Sequence, residues 1–357
     1  MEIFQKARIL SESSKYDSCG PNSCEVKINS GLGGIYHAKA ENKTCRLFKT
    51  VMENDCSLDC KYCGNSAHCK KTKASYKPQE LANLFTYLHR TLAVEGLFLS
   101  SALSKDPDQI TEKMIKTVKI LRYKKKFRGY IHFKILPGTS YELIKQASEL
   151  STRMSINIEA PTSSVLSELS DCKDYKIDIL RRQLWISKFH KNQTTQLILN
   201  KLATDKDILK TVAWEYSSLN LKRIYYAAFR PVKGTPLENE KPETLSRQNH
   251  LYNADFLLRE YGYQLKELYS IMENGMLPDH DPKLALALAT FDSPIDINEA
   301  SYEELIRIPG IGPKTAKKIL QIKVRKYEDL HKFGGWVERA KPFIEVNGHR
   351  QKMLTEF

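Results

Sequence analysis

The chain has 357 residues, room for about two domains. Hydrophobic residues make up 41% and charged residues 27%, a globular balance that excludes a disordered or fibrous chain. Lys and Arg total 56 against 42 Asp and Glu, so the formal charge of +14 points to a polyanionic partner or to a generally lysine-rich background.

In chain order, residues 1–44 read as an N-terminal extension that holds Cys19 and Cys24 in KYDSCGPNSC. From 45 to 280, apolar, β-branched or aromatic runs alternate with helical periodicity. The strand-like runs are 45–52 (CRLFKTVM), 96–101, 130–136, 155–160 (SINIEA), 194–200 and 223–229. Helical segments lie at 78–95, 108–126, 140–150 and 205–219. Strands separated by helices indicate βαβ units and a parallel sheet. Crossovers of one hand roll such a sheet in one direction. The expected fold is α/β, a partial (β/α)6 TIM-like barrel with active residues at the C-terminal strand ends; a doubly wound open sheet competes with it. Residues 281–357 read as a small all-α domain. No apolar stretch approaches ~18 residues, so no membrane span is expected. The first residues lack the apolar core of a signal peptide, so a cytoplasmic protein is expected.

Seven of the eight cysteines lie in the first 69 residues: Cys19, Cys24, Cys45, Cys56, Cys60, Cys63 and Cys69; Cys172 stands apart. In a reducing compartment such clustering points to metal or redox chemistry. The strongest signal is Cys56-Ser-Leu-Asp-Cys60-Lys-Tyr-Cys63, directly after the first barrel strand. Three thiolates on a short loop can each ligate one iron of a [4Fe-4S] cubane and leave the fourth iron open. A zinc site on Cys60 and Cys63, completed by His68 or Cys69, competes with this reading. The 3-then-2 spacing, and the lack of a second CxxC, favour the cluster.

This motif resembles that of the radical S-adenosylmethionine (radical SAM) superfamily. The resemblance implies SAM on the open iron, an electron donor of flavodoxin or ferredoxin type, and a 5′-deoxyadenosyl radical that abstracts hydrogen from the substrate. It implies SAM contacts at Tyr62, beside the last cysteine, and at Ser100 and Ser101, where the superfamily carries Gly-Gly-Glu; the acid is missing here. Asn157 and Glu159 share a strand face. Glu159 would bond the ribose hydroxyls of SAM, or pair with a nearby Lys or Arg. Arg230 follows the sixth strand, where a guanidinium grips a carboxylate or phosphate, or neutralises acids. Cys19 and Cys24 would bind a second metal, cap the cluster site, donate hydrogen, or serve as plain buried thiols.

The run Leu305-Ile-Arg-Ile-Pro-Gly310-Ile311-Gly312-Pro-Lys314-Thr-Ala-Lys317-Lys318-Ile-Leu320 resembles the helix-hairpin-helix of DNA repair proteins. Gly310 and Gly312 let the backbone approach a phosphate, and the turn amides around Ile311 face the anion. Lys314, Lys317 and Lys318 add charge. Such contacts grip the backbone without reading sequence. A hairpin used only for protein contacts is the plain alternative. Phe333-Gly-Gly-Trp336 starts a second, degenerate hairpin. A lysine-rich run from Lys116 to Lys134 adds a weaker basic track.

Together with SCGPN, GGIYH, YIHFKILPG, SINIEAPT and YYAAFRPVKGTPLE, these motifs make the whole chain resemble the radical SAM family assigned to DNA modification or repair. That resemblance implies radical chemistry on DNA, with a DNA glycosylase as a partner and no membrane. Modification of RNA such as tRNA, and a non-enzymatic metal-stabilised DNA-binding protein, are the alternatives.

Overall fold

Eight strands follow one another in a single sheet, in chain order, in the computed structural model, which describes residues 1–15, 24–25, 34–40, 43–91 and 94–350. They are β1 (Cys24–Glu25), β2 (Ile35–Ala40), β3 (Lys43–Val51), β4 (Gly96–Ser100), β5 (Tyr130–Lys134), β6 (Arg153–Ser155), β7 (Gln193–Leu199) and β8 (Arg223–Ala228). β1 to β3 pair antiparallel, and β3 to β8 pair parallel. The six parallel strands joined by helical crossovers curl the sheet into a half-barrel.

The helices are α1 (Ile3–Glu12), α2 (Pro78–Arg90), α3 (Pro107–Lys119), α4 (Tyr141–Leu150), α5 (Ser163–Leu169), α6 (Arg181–Phe189) and α7 (Asp205–Leu219). α2 shows why they form. Pro78 opens the helix, the Glu80 carboxylate accepts from the Lys77 amide at 2.8 Å, and Leu81, Leu84, Phe85 and Leu88 make one buried face. That face packs on the outward strand residues Phe48, Leu97, Leu99, Ile131, Phe133 and Met154. By alternation the opposite face carries Lys49, His132, Ser155 and Asn157, all buried. The inner face is therefore polar.

One strand is shorter than its pattern. SINIEA alternates over 155–160, yet β6 ends at Ser155. The Ile158 amide donates to the Thr195 hydroxyl at 2.8 Å instead of a strand carbonyl, and Glu159 adopts φ +65°. A left-handed residue cannot continue a ladder, so only an isolated bridge from Glu159 to Leu197 follows.

Met1–Ala203 with Trp214–Thr244 form one unit, and Thr204–Ala213 with Leu245–Phe357 form another. The second unit holds α8 (Leu245–Glu260), α9 (Leu265–Ser270), α10 (Pro282–Thr290), α11 (Tyr302–Leu305), α12 (Pro313–Ile319), α13 (Asp329–Phe333) and α14 (Val337–Ala340). It is not all helical. β9 (Ile295–Asp296), β10 (Ile344–Val346) and β11 (His349–Arg350) make a small sheet. Ile344 and Val346 join the core of Leu305, Ile308, Ile311, Ala316 and Phe343, which seats β10 against it. Among the described residues no helix is long and apolar enough to cross a membrane.

Candidate metal centre and nucleic-acid interface

The segment between β3 and α2 is long, and side chains hold it in place. Asn54 is buried; its amide donates to the Thr72 carbonyl at 3.0 Å and its oxygen accepts from the Ala74 amide at 2.8 Å. Asn65 donates to the Ser13 carbonyl at 2.7 Å. Ser57 donates through its amide and hydroxyl to the Leu103 carbonyl at 2.6 and 2.9 Å. Asp59 accepts from the Ser170 hydroxyl at 2.5 Å and the Asp171 amide at 2.8 Å. Burial raises the Asp59 carboxyl, but these donors outweigh it and hold it down at about 2.

Cys56, Cys60 and Cys63 stand on this pinned loop as free thiols, Cys60 only 6% exposed. Burial, then the neighbouring Cys60, pushes the Cys63 thiol up to about 12; burial also raises Cys56. The three feel one another's charge, yet among the described residues no three Cys, His, Asp or Glu converge as ligands of one ion. His68 Nε2 is 3.1 Å from the Asp59 carbonyl, and the Cys69 sulfur donates to the Gly234 carbonyl at 3.4 Å. A cubane takes each thiolate at a separate vertex, and this donor set fits it.

A residue the sequence reading missed lies against the thiols. The Lys173 side chain is 5% exposed, with Nζ 3.6 Å from Glu159 Oε1 and 3.4 Å from the Tyr62 hydroxyl. Burial works against its charge, but Cys60 and Glu159 outweigh burial and raise its pKa. The Tyr62 phenol is also raised, by burial and then by Glu159. Of the two readings of Glu159, pairing with a cation is what the chain shows through Oε1. Its Oε2 is buried and has no hydrogen-bond partner among the described residues. A strained, buried carboxylate with one unspent oxygen fits a ligand hydroxyl.

The other expected positions fall as follows. Asn157 is buried beside a small cavity also lined by Phe98, His132 and Tyr225. His132 Nε2 is 2.8 Å from the Ser155 hydroxyl, and burial, then Arg153 and Lys134, lowers its pKa. Ser100 is buried at the end of β4, while the Ser101 hydroxyl accepts from the Glu53 amide at 3.2 Å. Glu53 is itself buried, 3.4 Å from Lys113, with Oε1 unpartnered among the described residues. Arg230 is exposed just after β8. Cys24 stands in β1 opposite His37, and Cys19 lies outside the described residues. Within the basic run, Arg122 is a clamp. Its guanidinium donates to the carbonyls of Leu150, Phe127 and Gly129 at 2.8, 2.9 and 2.8 Å.

In the second unit, Ser301 and Glu304 cap α11 reciprocally. The turn Pro309–Gly312 follows, with Gly310 at φ +85°. A Cβ there would lie 2.3 Å from the Trp336 carbonyl, and the Trp336 amide donates to the Gly310 carbonyl at 2.8 Å. Lys283 Nζ donates to the Ile311 carbonyl at 2.6 Å from behind, and burial lowers this lysine to about 7. Ile311 is buried, whereas Lys314, Lys317 and Lys318 are exposed along α12. The expected second turn is present, as Gly334 at φ +87° ends α13.

The helix-hairpin-helix motif family matches residues 293–322. Among curated proteins the chain is similar to the Holliday junction branch migration complex subunit RuvA of Halalkalibacterium halodurans. It is 26% identical over 149 residues, covering 40% of this chain and 73% of RuvA. RuvA of Micrococcus luteus is 34% identical over 97 residues, 22% of this chain and 44% of that protein. Among solved structures, methylornithine synthase (PylB) has a TM-score of 0.50 at 11% identity, covering 59% of this chain and 61% of that one. The FeFe-hydrogenase maturase HydG of Carboxydothermus hydrogenoformans has a TM-score of 0.49 at 11% identity, covering 60% of this chain and 50% of that one. The chain thus spans about three fifths of PylB and half of HydG. At this identity the likeness is one of fold. The chain shares the fold of PylB over about three fifths of its length, and residues 293–322 carry a helix-hairpin-helix motif.

Proposed function

We propose that the protein is a radical SAM enzyme that acts on nucleic acid, DNA in preference to RNA. The observation that carries the reading is the buried Glu159–Lys173 pair set against the three-thiol loop at the strand ends. Cys56, Cys60 and Cys63 would hold a [4Fe-4S] cluster, and SAM would bind beside it. Once bound, the two supply a hydrogen-abstracting radical, given an electron from a flavodoxin- or ferredoxin-like donor.

The remaining roles belong to the chain. Glu159 Oε2 accepts from a ribose hydroxyl of SAM. Lys173 orients Glu159 and balances the thiolate charge. Tyr62 closes over the cofactor next to the last cysteine, with Asn157, Ser100 and Ser101 along the strand ends and Arg230 gripping an anionic group at the rim. The ties of Asn54, Asn65 and Asp59 hold the thiols in register, since a misplaced ligand costs rate steeply. The hairpin turn at Gly310, Ile311 and Gly312, with Lys314, Lys317 and Lys318, would hold the phosphate backbone.

Anaerobic reconstitution tests the reading. About four irons per chain and cluster absorbance are expected. Reduced protein should then cleave SAM, and Cys60→Ala should lose both properties. One zinc per chain, bound entirely by protein side chains, would overturn the proposal and leave a metal-stabilised binding protein. Competition between DNA and RNA over a salt series separates the two substrate classes.

A further inference from the structure

Resting on the reading of the second unit as a nucleic-acid module, we propose that Trp336 stacks on an unpaired base. It would give this unit a preference for DNA with a gap or extruded base over intact duplex.

Trp336 leaves 60% of its surface in water. A single exposed apolar side chain is ordinary on a protein surface; what sets this indole apart is its anchor and its neighbours. Its backbone is tightly fixed. Gly334 turns the chain at φ +87°, and the Gly335 amide donates to the Leu330 carbonyl at 2.7 Å. The Trp336 amide is tied to the Gly310 carbonyl at 2.8 Å, and the Trp336 carbonyl accepts from the Arg339 and Ala340 amides, each at 3.2 Å. The two turns approach so closely that no residue larger than glycine fits at 310. The indole is thus a side chain held out on a rigid anchor, one hydrogen bond from the expected phosphate grip. A preorganised contact of this kind loses little entropy on binding.

Its surroundings select the partner. The Arg339 guanidinium lies 5.2 Å from the ring centroid and is ion-paired with Asp281. Lys314, Lys317 and Lys318 are exposed on the helix after the first turn, and Lys332, ion-paired with Asp329, is exposed on the helix before the second. An aromatic ring backed by a guanidinium among exposed lysines is the combination that binds single-stranded nucleic acid, stacking for the base and charge for the backbone. Within intact duplex both faces of each base are already stacked. A free base face exists only at a gap, an end or an extruded nucleotide. Chemistry on a base requires extrusion, which makes such a site useful to this enzyme.

The test uses the full chain with dye-labelled duplexes of one sequence, intact or carrying a single-nucleotide gap, read by anisotropy at fixed salt. Wild type should favour the gapped duplex. Trp336→Ala should weaken gapped binding by about tenfold and leave intact binding unchanged. Trp336→Phe should restore most of the preference, and quenching of indole emission by gapped DNA should vanish in both variants. A melting curve checks that the variants fold. Equal loss on both duplexes, or no loss on either, would overturn the proposal. So would a change confined to self-association, which would assign the indole to a second copy of the chain. Absence of DNA binding by wild type would also defeat the nucleic-acid reading beneath it, an outcome distinct from binding without preference.

Discussion

Glu215 on α7 is fully buried, and burial pushes its carboxyl up to about 8 despite the Gln183 amide 3.1 Å away. An unfolded glutamate titrates near ~4.3. Between these values the folded chain keeps a proton that the unfolded chain releases. Stability therefore falls as pH rises from about 5 to about 8 and then levels off. Glu215→Gln should flatten that slope and, at pH 8, stabilise the protein by on the order of a few kcal/mol, read from denaturant melts over a pH series. A parallel wild-type and variant profile would show that the carboxyl is charged throughout. Glu159 presents the opposite case, a buried acid beside a cation. Its proposed place at the cofactor predicts that Glu159→Ala weakens SAM binding to reconstituted protein about tenfold or more, measured by calorimetry. Glu159 was legible as a ribose or cation partner, but the burial of Glu215 and the identity of that cation were not. Lys173 lies more than a hundred positions from the cysteines it faces, with no local pattern to flag it. The available signal was SINIEA itself, since an acid alternating onto a buried face must find a cation somewhere.

Apolar, β-branched or aromatic runs form strands where they stand, as at β3, β4, β5, β7 and β8, with β4 and β7 buried on both faces. β6 departs because its pattern records which faces are buried and not where the backbone turns. Thr195 makes the bend possible. Its hydroxyl donates to the Ile156 carbonyl at 2.7 Å and accepts from the Ile158 amide at 2.8 Å. Thr195→Val keeps the shape and strands both groups, so a loss of about 1–3 kcal/mol in denaturant unfolding is expected, together with weakened SAM binding as Glu159 shifts. Unfolding unchanged from wild type would show that the bend holds without this hydroxyl. The hairpin was legible because glycine chemistry is local. The PGIG run announces its own turn, and φ +85° at Gly310 explains the residue. The short sheet of the second unit was not legible, because β9 pairs with β10 across almost fifty positions.

At the scale of the whole molecule, the net charge of +14 overstates the binding surface. Arg122 is spent on three carbonyls, Lys173 is buried beside Glu159, and Lys283 holds the Ile311 carbonyl. The charge available for phosphate is the exposed part, and on α12 that is Lys314, Lys317 and Lys318. Each lysine that neutralises a phosphate contributes ~0.9 to the slope of log affinity against log salt. Replacing all three with glutamine should reduce that slope by up to about three units and weaken binding similarly across sequences. The same variant should leave cluster content and substrate-free SAM cleavage untouched. Cys60→Ala should do the reverse, keeping DNA affinity while losing the cluster. If the glutamine variant lost SAM cleavage, or Cys60→Ala lost DNA binding, grip and chemistry would not be carried by separate sets of residues, and the division of labour drawn between the two units would fail.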